Sequence, residues 1–330
     1  MMLRYIFQRL MIAIPTLLAI SFVVFFLIQL PPGSFLDAKI AAMELEGGVD
    51  MAEIETLKNT YHFDRPMIVQ YYYWITGFVT GDMGKSFETD VEVTRTLAEL
   101  VPVTAAISLF TIFFTWSLAI PFGITAAVKR NTPLDYLLTF VGLTAMATPA
   151  FIIALIFQVV MQSIWPQFDP TGLISREYAN APWSLAKFAD LLKHLWVPVF
   201  ILGVGGTAGM IRILRANVID ELKKQYVLCA RARGMHPVKV ILKYPVRVAI
   251  NPLVSGIGSI LPSIISGSMI ISIVLGLPTL GPRVLQALMS QDTYLAASCV
   301  FIQCVLAVVG ILISDLLLAV VDPRIKFGGK

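Results

Sequence analysis

Long apolar runs constrain this chain more than any other feature of it. About six stretches, at 10–30, 102–128, 134–165, 195–211, 249–277 and 295–321, reach the ~17–25 residues that a helix needs to cross a bilayer. Of the 330 residues 57% are hydrophobic and only 14% are charged, where a soluble domain carries ~25% charge. So few charges cannot clothe a surface in water, and lipid is the expected solvent. The first run outlasts the ~7–15-residue core of a signal peptide and ends in Leu30-Pro31-Pro32-Gly33, so it is expected to persist as an uncleaved span. The expected fold class is an all-α integral membrane protein of about six transmembrane helices.

Prolines 121, 149, 198 and 262 interrupt the runs. In a membrane bundle, neighbouring helices can satisfy the carbonyls that proline frees. Small residues recur too, at Gly203, Gly205, Gly206, Gly256, Gly258 and Gly267, and should let helices approach closely. A packed bundle is expected.

Charge sets orientation. The segment between the first two spans is acid-rich, with Asp37, Glu44, Glu46, Asp50, Glu53, Glu55, Asp64, Asp82, Glu88, Asp90, Glu92 and Glu99. The segment between spans four and five is basic: Arg212, Arg215, Lys223, Lys224, Arg231, Arg233, Lys239, Lys243 and Arg247 oppose Asp220 and Glu221. Arg4, Arg9, the turn Lys129-Arg130 and the terminal Arg324, Lys326 and Lys330 fall on the basic side. Basic loops stay in the cytoplasm, so both termini are expected inside and the acidic segment outside. An even number of spans agrees. The net charge of +4 is too local for a nucleic-acid footprint.

Several chemistries are excluded. Gly84-Lys85-Ser86 suggests a phosphate-binding loop, but Val79 stands where that motif needs glycine. Cys229, Cys299 and Cys304, with His62, His194 and His236, show no ligand spacing, and the cysteines read as buried small hydrophobes. HExxH and GxSxG are absent, which disfavours an intramembrane enzyme. A secondary transporter driven by an ion gradient is the main alternative, but it would want buried charges in the spans. Here Asp315, near the end of the last run, is the main candidate, and it could equally serve a structural pairing. Thr144, Thr148, Gln158, Ser263, Ser266 and Ser268 are sparse polar groups that could line a path or bond between helices.

The basic segment holds the most specific pattern. Residues 226–233 lack a helix breaker, Gly234 reads as a C-cap, and Pro237 opens a second short helix carrying Val238, Val240, Ile241 and Leu242. Tyr226-Val227, then Ala230-Arg231-Ala232-Arg233-Gly234-Met235, resembles the EAA loop of binding-protein-dependent ABC importers, in particular the peptide-permease branch. Leu228 and Cys229 depart from its Glu-Ala. Val246-Arg247-Val248-Ala249 and Pro252 match the branch less closely, without its His and Asn. Leu30-Pro31-Pro32-Gly33, Phe63-Asp64-Arg65-Pro66 with Gln70-Tyr71, Gly81-Asp82-Met83-Gly84-Lys85-Ser86, Leu275–Gly281 and Asp322-Pro323-Arg324 resemble further signatures of that branch, in order along the whole chain.

The resemblance implies the type I permease fold and the first of two paired permeases of a dipeptide, oligopeptide or nickel-type importer in the bacterial inner membrane. It implies a second permease, two ATPase subunits and an extracytoplasmic binding protein as partners, with lipid around the chain. ATP and magnesium would lie in the partner subunits, and this chain would itself be no enzyme and hold no cofactor. Tyr226, Ala230, Arg231, Arg233, Gly234, Met235 and Arg247 become the expected ATPase-coupling residues. The expected organisation is 1–30 for the first span, 31–95 for an extracytoplasmic subdomain, 96–322 for the transmembrane domain with the coupling loop at 212–248, and 323–330 for a cytoplasmic tail.

Overall fold

The computed structural model describes residues 2–31, 35–46, 54–55, 58, 65–179 and 181–321. Pro32-Gly33, Gly47-Gly48, Phe63-Asp64 and the tail 322–330 lie outside them. In chain order the helices are α1 (Met2–Ile28), α2 (Phe35–Glu46), α3 (Met67–Thr80), α4 (Val93–Val128), α5 (Pro133–Ala147), α6 (Ala150–Ile164), α7 (Leu185–Leu222), α8 (Gln225–Ala232), α9 (Pro237–Lys243), α10 (Pro245–Ala249), α11 (Asn251–Val274), α12 (Leu280–Met289) and α13 (Thr293–Val321). Among the described residues the only extended pairing is an isolated bridge between Lys85 and Glu92.

Helices α1, α4, α7 and α13 are long and apolar enough to cross a membrane. The run expected as one span at 134–165 is instead two helices, α5 and α6, bent by 102°. The break falls at Thr148-Pro149. Pro149 pushes the residue before it out of the helical region, and Thr148 is extended at φ −87° and ψ 123°. Pro121, Pro198 and Pro262 do not break their helices. With its 24 residues, α11 is about 36 Å long. The span expected to end at Ile211 runs on to Leu222, so Arg212 and Arg215 belong to α7 and not to the loop after it.

The chain forms two compact units, Met1–Thr104 with Pro278–Leu306 and Ala105–Leu277 with Ala307–Lys330. In the first, α1 packs on α3 around Phe25, Trp74, Phe87, Tyr294 and Phe301, and Trp74 Nε1 donates to Ser298 Oγ at 3.0 Å. A second cluster joins Val93, Leu97, Leu280, Val284 and Leu295. The false phosphate loop lies here. Ser86 is buried, and its hydroxyl donates to Asp292 Oδ2 at 2.6 Å. Phe87 N–H donates to the same oxygen at 2.8 Å, while Leu295 N–H donates to Oδ1 at 3.1 Å. A buried carboxylate thus occupies the place where a nucleotide phosphate would need donors. Burial pushes the Asp292 carboxyl above the usual carboxylate range, and these hydrogen bonds pull it back. Gly81 and Gly84, at φ +87° and +72°, make the turns that deliver Ser86.

The second unit packs α7 against α4, α5, α10 and α11. Leu214 and Val218 are fully buried in a core with Ala119, Ala127, Val246, Ala249 and Leu253. Gly203 permits close approach, because a Cβ there would sit 2.5 Å from Phe114. Gly205, Gly256 and Gly267 face open space and do not serve close packing in this chain.

Candidate functional site

The loop that follows α7 folds on a core of its own. Val227, Ala230 and Val240 are buried together, with Met235 and Tyr244 packed on them. Its turn is dictated by hydrogen bonding. Gly234 adopts φ +73°. Its N–H donates to the Arg231 carbonyl at 2.9 Å, and Met235 N–H donates to the Ala230 carbonyl at 3.4 Å. These are the two bonds of a Schellman cap, and the contact of Met235 with Ala230 is its usual apolar companion. The spacing Ala, three residues, Gly therefore has a mechanical meaning: it sets a small buried residue at the last full turn and a residue free to take positive φ just past it.

Ala230 is 4% exposed, so in this chain its methyl faces inward. Met235 is half-buried, while Tyr226, Arg231, Arg233, Gly234 and Arg247 are exposed. Of the apolar residues read on the second short helix, Val238 and Leu242 are exposed while Val240 is buried, and Leu228, which the sequence did not single out as a surface residue, is exposed as well. Cys229, expected to be buried, is exposed on α8, whereas Cys299 is buried and Cys304 half-buried. The Tyr226 hydroxyl donates to Glu221 Oε2 at the end of α7. Partial burial and this carboxylate push the phenol up to about 12. Tyr226 and Tyr244 rings lie 6.1 Å apart.

A third short helix, α10, was not expected. Pro245, with no N–H to continue α9, separates the two. Its Val246 and Ala249 are buried in the α4–α7–α11 core, so the loop is fastened to the bundle and does not hang from it. That core reaches a cavity of about 410 Å³ lined by Thr111, Thr115, Met210, Leu253, Ile260 and Ser263 among others. Met210 and Leu253 belong both to the core that holds α10 and to the cavity wall.

Of the six polar residues considered for a path, Ser263 alone lines this cavity. Gln158 bonds between helices, its Nε2 donating to the Val274 carbonyl at 2.9 Å. Thr144, Thr148, Ser266 and Ser268 donate to carbonyls of their own helices. Asp315 is half-buried on α13. Also unforeseen is the pairing of Arg215 with buried Asp135, with Nε to Oδ1 at 2.7 Å and Nη2 to Oδ2 at 2.8 Å, which ties α5 to α7. Among the described residues no cluster of His, Cys, Asp and Glu could hold a metal ion.

The chain is thus a bundle of membrane-length apolar helices with a cavity beside its core and a surface loop seated on that core. Residues 119–327 match the family described as binding-protein-dependent transport system inner membrane component, and 2–108 match that family's N-terminal region. The oligopeptide transport system permease protein AppB of Bacillus subtilis is 30% identical over 327 residues, covering 99% of this chain and 100% of that protein. OppB of Escherichia coli K12 is 29% identical over 328 residues, with 99% and 100% covered. In a solved inward-facing structure of the MetNI methionine ABC transporter, one chain shares the fold at TM-score 0.55 and 16% identity, covering 69% of this chain and 96% of that one. The chain therefore belongs to the family of binding-protein-dependent transport inner membrane components. It is a multi-pass inner-membrane permease of an ABC importer, and not an enzyme.

Proposed function

We propose that this permease forms half of a path for peptides and similar small solutes, and that α8–α10 couple it to a separate ATPase subunit. Its partners would be a second permease, two ATPases and an extracytoplasmic binding protein, with ATP and magnesium held by the ATPases. The solute class rests on relatives named as oligopeptide permeases along their whole length. The observation that carries the coupling is the shared core: Met210 and Leu253 touch both the seat of α10 and the cavity. A push on the exposed face of α8 and α9 must then be felt at the cavity wall, because packed cores transmit displacement and do not absorb it. The 410 Å³ volume falls in the range of small-solute sites.

The basic residues at 223–247 support a cytoplasmic loop, with both termini on the same side. The segment 31–95 would then lie outside, ahead of a transmembrane part at 96–322 and a cytoplasmic tail at 323–330. Arg231 and Arg233 would meet acidic groups of the ATPase, and Leu228, Val238 and Leu242 would fill its groove. The test is a photocrosslinker at Leu228 or Val238 in importing membranes. Capture of an ATP-hydrolysing subunit is expected, and failure to capture one from an actively importing complex overturns the reading. Uptake that survives ATP depletion but stops with the proton gradient would favour a secondary transporter.

A further inference from the structure

A second, smaller cavity opens between α5 and α7, apart from the path cavity. Its volume is about 230 Å³, and its wall consists of Leu138, Thr139, Gly142, Leu143, Met146, Ala208, Ile211, Arg212 and Arg215. Apart from Thr139 and the two arginines the lining is apolar. Gly142 lines the crevice beside Ala208, where an added Cβ would make an ordinary contact at 3.6 Å.

The lining is ordered by depth. Arg215 pairs with Asp135 in the first turn of α5, just inside the basic turn Lys129-Arg130. With the basic loop on the cytoplasmic side, that level would be the membrane boundary. Arg212 lies three residues along α7 toward the bilayer centre, about 4.5 Å deeper, and Ala208 about 10 Å deeper. On α5 the lining descends likewise from Leu138 through Gly142 to Met146. The crevice is thus cationic at the end holding Arg212 and Arg215 and apolar beyond, running along α5 and α7. Arg215 is engaged by Asp135, and the Arg130 charge also acts on that carboxylate. Among the described residues no carboxylate pairs with exposed Arg212. Arg212 and Arg215 are the two charged residues in the wall, and of these Arg215 is paired with Asp135.

We infer that the α5–α7 crevice holds one anionic phospholipid of the cytoplasmic leaflet, with its phosphate on Arg212 and an acyl chain along Gly142 and Met146. Charge complementarity selects an anionic headgroup, since basic pockets between spans at the inner boundary suit such lipids. The long Arg212 stem lets its guanidinium reach the headgroup level from a position one turn inside. The leaflet, though not the crevice, rests on the orientation given above.

The test uses the assembled importer in nanodiscs, with bound lipid counted by native mass spectrometry. Phosphatidylglycerol and phosphatidylcholine of identical chains are compared. Phosphatidylglycerol retention about fivefold above phosphatidylcholine is expected, from one arginine near the surface. Arg212→Gln should abolish the preference, Arg212→Lys should keep it, and Gly142→Leu should expel both lipids. Equal retention of the two lipids, or a preference surviving Arg212→Gln, overturns the proposal. So does a crosslinker at Leu143 that captures the second permease instead of lipid. None of these readouts involves solute uptake, so a failure of the coupling reading would leave them unchanged.

Discussion

Replacing Gly234 by alanine tests the loop's geometry most directly. A Cβ at this position meets nothing within 4 Å, so the change adds no clash, and the whole cost is that of holding an L-residue at φ +73°. That cost is roughly 1–2 kcal/mol, or roughly a 5- to 30-fold rise in the fraction of time the turn is open. The amides of Gly234 and Met235, which donate to Arg231 and Ala230, should lose protection from hydrogen exchange by that factor in the purified importer. Gly234→Asn, which tolerates the left-handed region better, should lose less. Uptake should fall in the same order, because an open turn releases Met235 from the core it shares with Ala230 and Val240. Unchanged protection in the alanine variant would refute the argument. Equal losses for Ala and Asn would show that side-chain bulk, and not backbone conformation, governs the turn.

Four further outcomes are expected. Arg215→Gln should cost about 1–3 kcal/mol by leaving Asp135 without its charged partner, and Asp135→Asn in the same chain should recover most of it, read by thermal unfolding in detergent. Asp292→Asn should cost about 1–3 kcal/mol, since its amide confronts donors from Ser86, Phe87 and Leu295, and should shift melting of the first unit. Exposed Cys229 should react with a maleimide in membranes lacking the ATPases and be protected in the assembled importer, with Cys229→Ser as the control; equal labelling in both would count against docking on α8. Tyr226→Phe should loosen α8 from α7 by under ~1 kcal/mol, as befits an exposed contact. With its phenol pushed up to about 12, Tyr226 stays a neutral donor, so the exchange difference should be the same at pH 6 as at pH 9, because neither state of the chain loses this proton in that window.

The amino-acid sequence by itself determined whatever is local along the chain. The apolar runs announce spans because each must bury ~20 consecutive residues in hydrocarbon. Gly234 and Pro237 announce a capped helix, a turn and a new helix, because their backbone limits act on immediate neighbours. Even the Ala230-to-Gly234 spacing is legible, since a Schellman cap is closed within six residues. Tertiary structure alone decided the rest. Asp292 grips Ser86 across 206 positions and Arg215 grips Asp135 across 80, and no periodicity marks such partners. The bend at Thr148-Pro149 came from one of several prolines, chosen by how the flanking helices pack. The polar residues divided into one cavity liner and several helix-bonded groups for the same reason. A side chain's hydroxyl is fixed by composition, but what it faces is set by neighbours that the chain brings back from far away.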